Sequence, residues 1–506
     1  MTTEATPPSI ADKVFGGALW FAALRLFSRL AGFLAFAIKA RVLSPDDFGV
    51  IGSIALVAGF VGILGAHGVF DRLIRMPDMT EADVHRAWTL NLLFALGIAA
   101  ATVASAAPAA RFLNEPALAD ALRVVALRPI ITALSSPIYI DWARALRFRP
   151  MVLFSMLTKL LEVVFSTAGA IMFRSYWGLI YGGLLAWACH VALTYVLKPY
   201  RPRLRLDGSA ELLTFSTWSL TQAVANYFAL NSDEIVVRRG SDTRSFGLYH
   251  VSRDLSRIFV LEAVAPVTEP LFAGLARMVQ LGRGRFLDAA TKAVAAAALV
   301  AASVGFGLSA TAAEAVAIVL GAGWGGAVPI LNVIALGVAA LAVSELHRSI
   351  TVAFGRIEVS TLLWVVRATV QLAACAAAFA AGGAMAVAIA FLATALVLLV
   401  VDYSVVFRLL GGRATTTFRV LWRPALAGAV MAGLLSALPW PPAWPVLGLA
   451  LAKIGTGALA YGSVIVLAWL VAGRPQGGES VLLERLPARL RSPIVRLLGK
   501  PAPSEA

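Results

Sequence analysis

Runs of about 20 apolar residues, separated by short polar turns, recur along this chain from about residue 14 to residue 472. An α-helix rises about 1.5 Å per residue, so each run is long enough to cross a hydrocarbon core of about 30 Å. The runs at 88–107, 152–173, 177–197 and 384–401 show the pattern most plainly. Alternating polarity in segments of about ten residues, the mark of a membrane β-barrel, does not occur. The pattern predicts an all-α polytopic membrane protein with about fourteen spans. These lie near 14–38, 47–70, 88–108, 117–140, 151–173, 176–197, 212–237, 247–275, 288–310, 326–350, 358–380, 384–408, 418–438 and 443–472. The spans at 117–140 and 247–275 are the weakest, because both carry charge.

Composition agrees with the pattern. Hydrophobic residues make up 59% of the chain and charged residues 14%, with a mean hydropathy of +0.82. Soluble domains carry about 25% charge. The first apolar run, from about Phe15, is interrupted by Arg25 and Arg29 and is too long for a signal-peptide core. It reads as a retained first helix. Cys189 and Cys375 both lie in apolar runs, and the five histidines are scattered, so neither a disulfide framework nor a metal cluster is indicated.

A net charge of +15 raises the question of a nucleic-acid partner, and its distribution answers it. With the N-terminus in the cytoplasm, the inner loops collect Arg72, Arg75, Arg86, Arg144, Arg147, Arg149, Lys198, Arg201, Arg203 and Arg205. The same side gains Arg277, Arg283, Arg285, Arg348, Arg356, Arg408, Arg413, Arg419 and Arg423 further along. Outer loops hold chiefly Lys39, Arg41, Arg111, Arg174, Arg238, Arg239 and Arg244. This bias, roughly three to one, predicts cytoplasmic N- and C-termini and explains the basic balance without nucleic acid. The tail at 473–506 contains VLLERLPARLRSPIVRLLGK, a basic amphipathic pattern expected to lie on anionic headgroups.

The chain also repeats itself. Trp20, Arg41, Phe48 and Gly49 match Trp218, Arg239, Phe246 and Gly247 at a constant offset of 198, without a gap. Each copy has a basic residue ending an apolar helix, a polar turn, then Phe-Gly opening the next helix. Six spans separate the copies, so both have the same membrane orientation. A parallel duplication predicts two lobes, 1–198 and 212–410, joined by a cytoplasmic linker at 199–211 and followed by two further helices at 411–472.

SDEIVVRRGSDTRSFGLY, ARVLSPDDFGVIG and RALRFRPMV together resemble motifs of the polysaccharide transporter family of the MOP flippase superfamily, in its lipopolysaccharide and exopolysaccharide branch. The resemblance covers most of the chain in span order. It implies a MATE-like arrangement of two six-helix lobes plus two C-terminal helices. The implied activity is a flippase of the bacterial inner membrane that moves undecaprenyl-pyrophosphate-linked oligosaccharide by alternating access. Membrane lipids, a polysaccharide polymerase and export machinery are its implied partners.

Such a substrate needs a cationic path, and arginine binds phosphate bidentately while keeping its charge. An arginine at the bilayer centre costs roughly 2.5–3.5 kcal/mol, so each one there needs a reason. Arg25 and Arg29, one turn apart on the first span, are candidates for the pyrophosphate and glycan cavity, and Arg253 and Arg257 repeat that spacing on the eighth. Asp254 is positioned to pair with Arg257, which keeps a purely structural reading open. Arg128, and Arg367 with Gln371, are weaker candidates; Arg41 and Arg239 are placed to snorkel. Asp233, Asp254 and Glu262 are candidates for ion coupling, with protons, sodium and no coupling all open. Lys159 and Glu162 are spaced to satisfy one another. No Walker-type GxxxxGK[ST] and no soluble domain for a nucleotide-sugar site occurs, so no enzyme and no cofactor is expected. Two rivals stay open: a multidrug or cation antiporter of the same superfamily, and a membrane-embedded glycan polymerase or ligase. Gly178 and Gly182 fit a GxxxG helix contact.

Overall fold

The computed structural model describes residues 10–63, 70, 73, 74, 76, 78–207 and 217–474, and among these the regular structure is entirely helical. In hydrocarbon every backbone N–H and C=O must be paired within the segment, which leaves the helix as the form open to these apolar runs. Ten of the described helices are long and apolar enough to cross a membrane. Beyond Arg474 the expected amphipathic tail lies outside the described residues. The chain divides into two compact units, Met1–Leu220 and Thr221–Ala506.

In the first unit, α1 (Ile10–Val42) packs on a later helix, and α2 (Pro45–Gly62) packs on α3 (Glu81–Phe112). The expected span at 117–140 is broken. It forms three short helices, α4 (Ala117–Val125), α5 (Leu127–Ala133) and α6 (Ile138–Arg144). Pro137 supplies no N–H and disfavours helix at the residue before it. The Ser136 N–H freed at this break donates to Thr194 Oγ1 at 3.0 Å, and the Ser136 hydroxyl in turn donates to the Lys198 carbonyl at 2.8 Å. Val50 and Ile54 of α2, Ala106 and Ala110 of α3, and Leu118 and Leu122 of α4 form one apolar core.

Helices α7 (Phe148–Phe173) and α8 (Tyr176–Leu197) make a tight hairpin, and α1 packs on α7. A Cβ added at Gly178 would meet the Gly169 carbonyl oxygen at 2.1 Å, and one at Gly182 the Phe165 carbonyl at 2.3 Å. The GxxxG pair is therefore a backbone contact. The first part of the linker is held to this unit as well. Tyr200 Oη lies 2.6 Å from His85 Nδ1, Arg205 N–H donates to Thr89 Oγ1 at 3.0 Å, and Arg86 donates to Asp207 at 3.1 Å. That last bond, with help from Arg205, holds the Asp207 carboxyl below its usual range.

Helix α9 (Thr217–Gly240), in the second unit from Thr221 on, turns into α10 (Thr243–Met278), which packs on α11 (Arg283–Ala310), α12 (Val328–Ser344) and α13 (Leu346–Ala353). Helix α14 (Ile357–Leu409) runs 53 residues but breaks at Gly382 and Gly383, the latter with φ +64°. The break divides it where the sequence places two spans. Helix α15 (Thr415–Ala437) packs on α11, and α16 (Val446–Val471) on α15. Lys453 of α16 is tied to Glu314 at 2.6 Å, which anchors the last helix to this unit.

The two repeat copies build the same capped hinge. Ser44 Oγ accepts from Asp47 N–H at 3.2 Å and so caps α2. At the offset of 198, Asp242 Oδ2 accepts from Ser245 N–H at 3.4 Å and caps α10. The residue types are exchanged and the cap is kept, since either side chain offers the needed oxygen.

The α7–α8 contact gives a direct test. Gly178→Val is expected to reduce the yield of monodisperse protein and lower its Tm in detergent. Gly183→Ala, where a Cβ meets nothing within 4 Å, is expected to change neither. Equal Tm values for the two variants, measured by nanoscale fluorimetry, would refute the close-contact account.

Candidate functional site

The α9–α10 hinge carries its charge inward. Asp233 and Glu234 lie in the last turns of α9, while Tyr249, His250, Arg253 and Asp254 lie in the opening turns of α10. Tyr249 with Arg253, and His250 with Asp254, are spaced four apart and so share faces of the helix. Arg253 and Asp233 form an ion pair with neither side chain exposed to solvent. Tyr249 Oη donates to the same carboxylate at 2.8 Å, and Arg253 Nη2 donates to the Leu230 carbonyl at 2.5 Å. The guanidinium also lies over the Phe391 ring, 4.5 Å from its centroid.

A second group adjoins the first. His250 Nδ1 lies 2.7 Å from Glu234 Oε1, and its Nε2 lies 3.6 Å from Asp254 Oδ2. Glu234 and His250 are buried, whereas the Asp254 side chain is 38% exposed. A second buried ion pair joins Arg367 to Asp402 at 2.6 Å, with Arg367 also donating to Ser344 Oγ at 2.6 Å. Ser344 belongs to α12, Arg367 to the first half of α14, and Asp402 to its second half. Three apolar segments are thereby tied at one point.

Trp364, Arg367, Gln371 and Cys375 form a buried stripe at helical spacing on α14. The stripe runs from the second ion pair to Cys375, which is in electrostatic range of Asp233 and Arg253. The Gln371 amide is fully buried and neither of its polar atoms has a protein partner; the same holds for Arg367 Nε and Nη1 and the Trp364 indole N–H. Buried donors of this kind are normally satisfied by water in a polar site. The half-buried Glu345 carries the connection onward, with Arg257, Arg367 and Arg253 as its electrostatic neighbours.

The structure places the sequence candidates unequally. Arg253, Asp233 and Asp254 come together in the network, with Arg257 half-buried beside it. Asp254 turns toward His250, so its expected i, i+3 partnership with Arg257 is replaced by a carboxylate–imidazole contact. Glu262 is half-buried two turns further along α10. Arg25 is exposed and Arg29 half-buried on α1, in the other unit. Arg128 stacks on Trp187 at 5.2 Å, and Arg41 and Arg239 are exposed at helix ends. Lys159 and Glu162 pair at 3.0 Å. Six members were missed from the sequence: Tyr249, His250, Ser344, Glu345, Trp364 and Asp402. The signal for Asp402 was available, since an acid in LVVDYSVV interrupts an otherwise apolar run. His250 was discounted with the scattered histidines, although Asp254 stands four residues on.

Helices of this length and apolarity, carrying charge on inward faces, define a multi-pass membrane protein, and its fold is that of the MOP superfamily. A solved structure of the lipid II flippase MurJ in an inward closed conformation superposes with a TM-score of 0.70 at 12% identity, covering 90% of this chain and 99% of that one. A multidrug resistance MATE family transporter of the MOP superfamily, in an inward-facing conformation, gives 0.56 at 14% identity, covering 76% and 94%. Residues 38–329 match the family model described as polysaccharide biosynthesis protein, and the chain belongs to that family. It is similar to the succinoglycan biosynthesis transport protein ExoT of Rhizobium meliloti, 26% identical over 309 residues. That match spans 60% of this chain and 62% of ExoT. The lipopolysaccharide biosynthesis protein WzxC of Escherichia coli is 20% identical over 425 residues, 82% of this chain and 85% of WzxC.

Removing one member of a buried ion pair leaves the other charged and unpaired, at a cost of about 3–5 kcal/mol. Asp233→Ala and Arg253→Ala are each expected to destabilise the protein by about that amount. The double variant should fall well short of the sum of the two, because it leaves no orphaned charge. A double-mutant cycle on thermal stability checks this, and additive losses would show that the pair is not coupled.

Proposed function

We propose that this protein is a flippase that moves polyprenyl-pyrophosphate-linked oligosaccharide from the inner to the outer leaflet of the bacterial inner membrane, for export of an exopolysaccharide, capsule or O-antigen. The observation that carries the reading is membership of the polysaccharide biosynthesis family combined with two arginines one turn apart in a membrane-length helix. Such a substrate joins an apolar tail, an anionic pyrophosphate and a polar glycan. Its head crosses only where fixed cations and water replace the bulk solvent.

Arg25 and Arg29 are the residues we assign to the pyrophosphate. Leu26, Leu30 and Leu34 beside them are 57–60% exposed, an apolar surface suited to acyl chains. Arginine near such a surface can hold phosphate oxygens through its planar fork while its charge persists. The names of ExoT and WzxC, a succinoglycan transport protein and a lipopolysaccharide biosynthesis protein, support a glycan cargo. Alternating access between the two units is the transport cycle we infer, and the buried network around Arg253 is its candidate for ion coupling. The polymerase and export machinery that use the product are the partners this cargo implies.

Arg25→Ala and Arg29→Ala, separately and together, are expected to abolish glycan export in cells while leaving the amount of folded protein unchanged. Surface glycan is read by immunoblot and protein by fluorescence-detected size-exclusion chromatography. Wild-type export in the double variant would remove these residues from the path.

A further inference from the structure

We propose that Glu234, His250 and Asp254 form a proton-binding relay that couples the second unit to a proton gradient, with His250 as the carrier; this rests on the transport reading above. A neutral imidazole has one N–H, and its other nitrogen presents a lone pair. Here both ring nitrogens face carboxylates, Nδ1 toward Glu234 Oε1 at 2.7 Å and Nε2 toward Asp254 Oδ2 at 3.6 Å. With both acids ionised, a neutral ring would set a lone pair against an anion. The arrangement is therefore complete only when it holds one more proton than a neutral ring between two carboxylates.

The relay has an open end and a closed end. Asp254 is 38% exposed on its side chain, His250 9% and Glu234 3%. A proton from water reaches the Asp254 carboxylate, passes to Nε2, and leaves Nδ1–H donating to Glu234. No other bond forms or breaks. The groups facing His250 fit this role. Arg257 lies in electrostatic range on its own helix, Phe246 stacks on the ring at 5.8 Å, and Arg238 of α9 lies over that phenyl ring. Asp233 of α9 is occupied by Arg253 and Tyr249. Glu345, between α12 and α13, faces Arg257 and Arg253, and Asp402 of α14 is paired with Arg367. Asp233 and Asp402 are thus already matched by arginines, whereas Glu234 and Asp254 both face the imidazole.

The repeat shows that the hinge does not need these residues in order to fold. At the offset of 198, Glu234, His250 and Asp254 correspond to Phe36, Gly52 and Leu56, and the first copy forms the same capped turn with them. Proton occupancy also has a mechanical consequence. Glu234 lies in the last turns of α9 and His250 in the opening turns of α10. The doubly protonated ring therefore holds the two helices by charge as well as by its Nδ1–H bond. Loss of the Nε2 proton weakens that hold and sets a lone pair against Asp254.

The test uses the full-length protein in proteoliposomes adsorbed on a solid-supported membrane, in potassium buffer, with a pH jump as the stimulus. Wild type is expected to give a transient charge displacement. His250→Gln and Asp254→Asn are expected to reduce it to that of empty liposomes, and replacing potassium by sodium should leave the wild-type signal unchanged. A wild-type transient in His250→Gln, or a signal that requires sodium, overturns the relay. If His250→Gln is not monodisperse, Asp254→Asn at the half-exposed end decides the matter on the same criterion. Glycan export in cells separates the two readings: pH-driven transients without any wild-type export retain the relay and reject the cargo. Normal, uncoupler-sensitive export in Asp254→Asn rejects the relay and retains the cargo.

Discussion

Arginine cannot shed its charge inside a protein, and the second unit is organised around that constraint. Arg253 is fully buried where α9 and α10 meet. Its charge obliges an anion within reach, which Asp233 supplies, and the remaining N–H groups call for oxygen, partly met by the Leu230 carbonyl. Tyr249 then serves the carboxylate and Phe391 covers the cation. One immovable charge thereby fixes the register of α9, α10 and the second half of α14. Arg367 imposes the same demand a few turns away and recruits Ser344 and Asp402.

This manner of organisation follows from the solvent. Lipid tails are as apolar as leucine, so burying leucine against leucine contributes little to helix association in a bilayer. Large side chains such as Leu26, Leu96, Leu185 and Leu459 accordingly remain exposed on helix faces. Two other interactions do the holding. Close backbone approach is one, seen where Gly169 and Gly178 bring α7 and α8 together. Buried polar bonds are the other, and they gather in the second unit. The first unit depends more on glycine contacts and on an alanine-rich core.

Much of this was legible in the sequence because the strongest signals are local. Apolar run length gives the helices, and the constant offset of 198 gives two equivalent hinges. Arg253, Asp233 and Asp254 stood out as charges inside apolar segments. Partner identity was not legible, since it depends on which faces of α9, α10, α12 and α14 meet. Asp254 sits three residues before Arg257, yet the turn of the helix presents it to His250. Arg367 has its acid 35 residues along the chain, beyond a glycine break. The 117–140 run looked continuous by hydropathy, but Pro137 interrupts it, and the freed Ser136 N–H is met by Thr194 of α8.

The two hinges together separate what the fold requires from what the function adds. Both copies keep the side-chain cap and the Phe-Gly pair, and both end their first helix in arginine. Those shared features suffice for the turn. Everything charged and buried at the second hinge replaces something apolar or small at the first: Asp233 stands where Ala35 does, Tyr249 where Ile51 does, and Arg253 where Ala55 does. The reverse holds for the first helix, where Arg25 and Arg29 correspond to Ala223 and Tyr227. A duplication kept only for stability has no reason to exchange alanine for a fully buried ion pair, because desolvating each ion costs several kcal/mol. The asymmetry is therefore best understood as a division of labour. In the flippase and relay proposals above, the arginines of the first copy are assigned to the anionic cargo, and the acid and histidine cluster of the second to the proton.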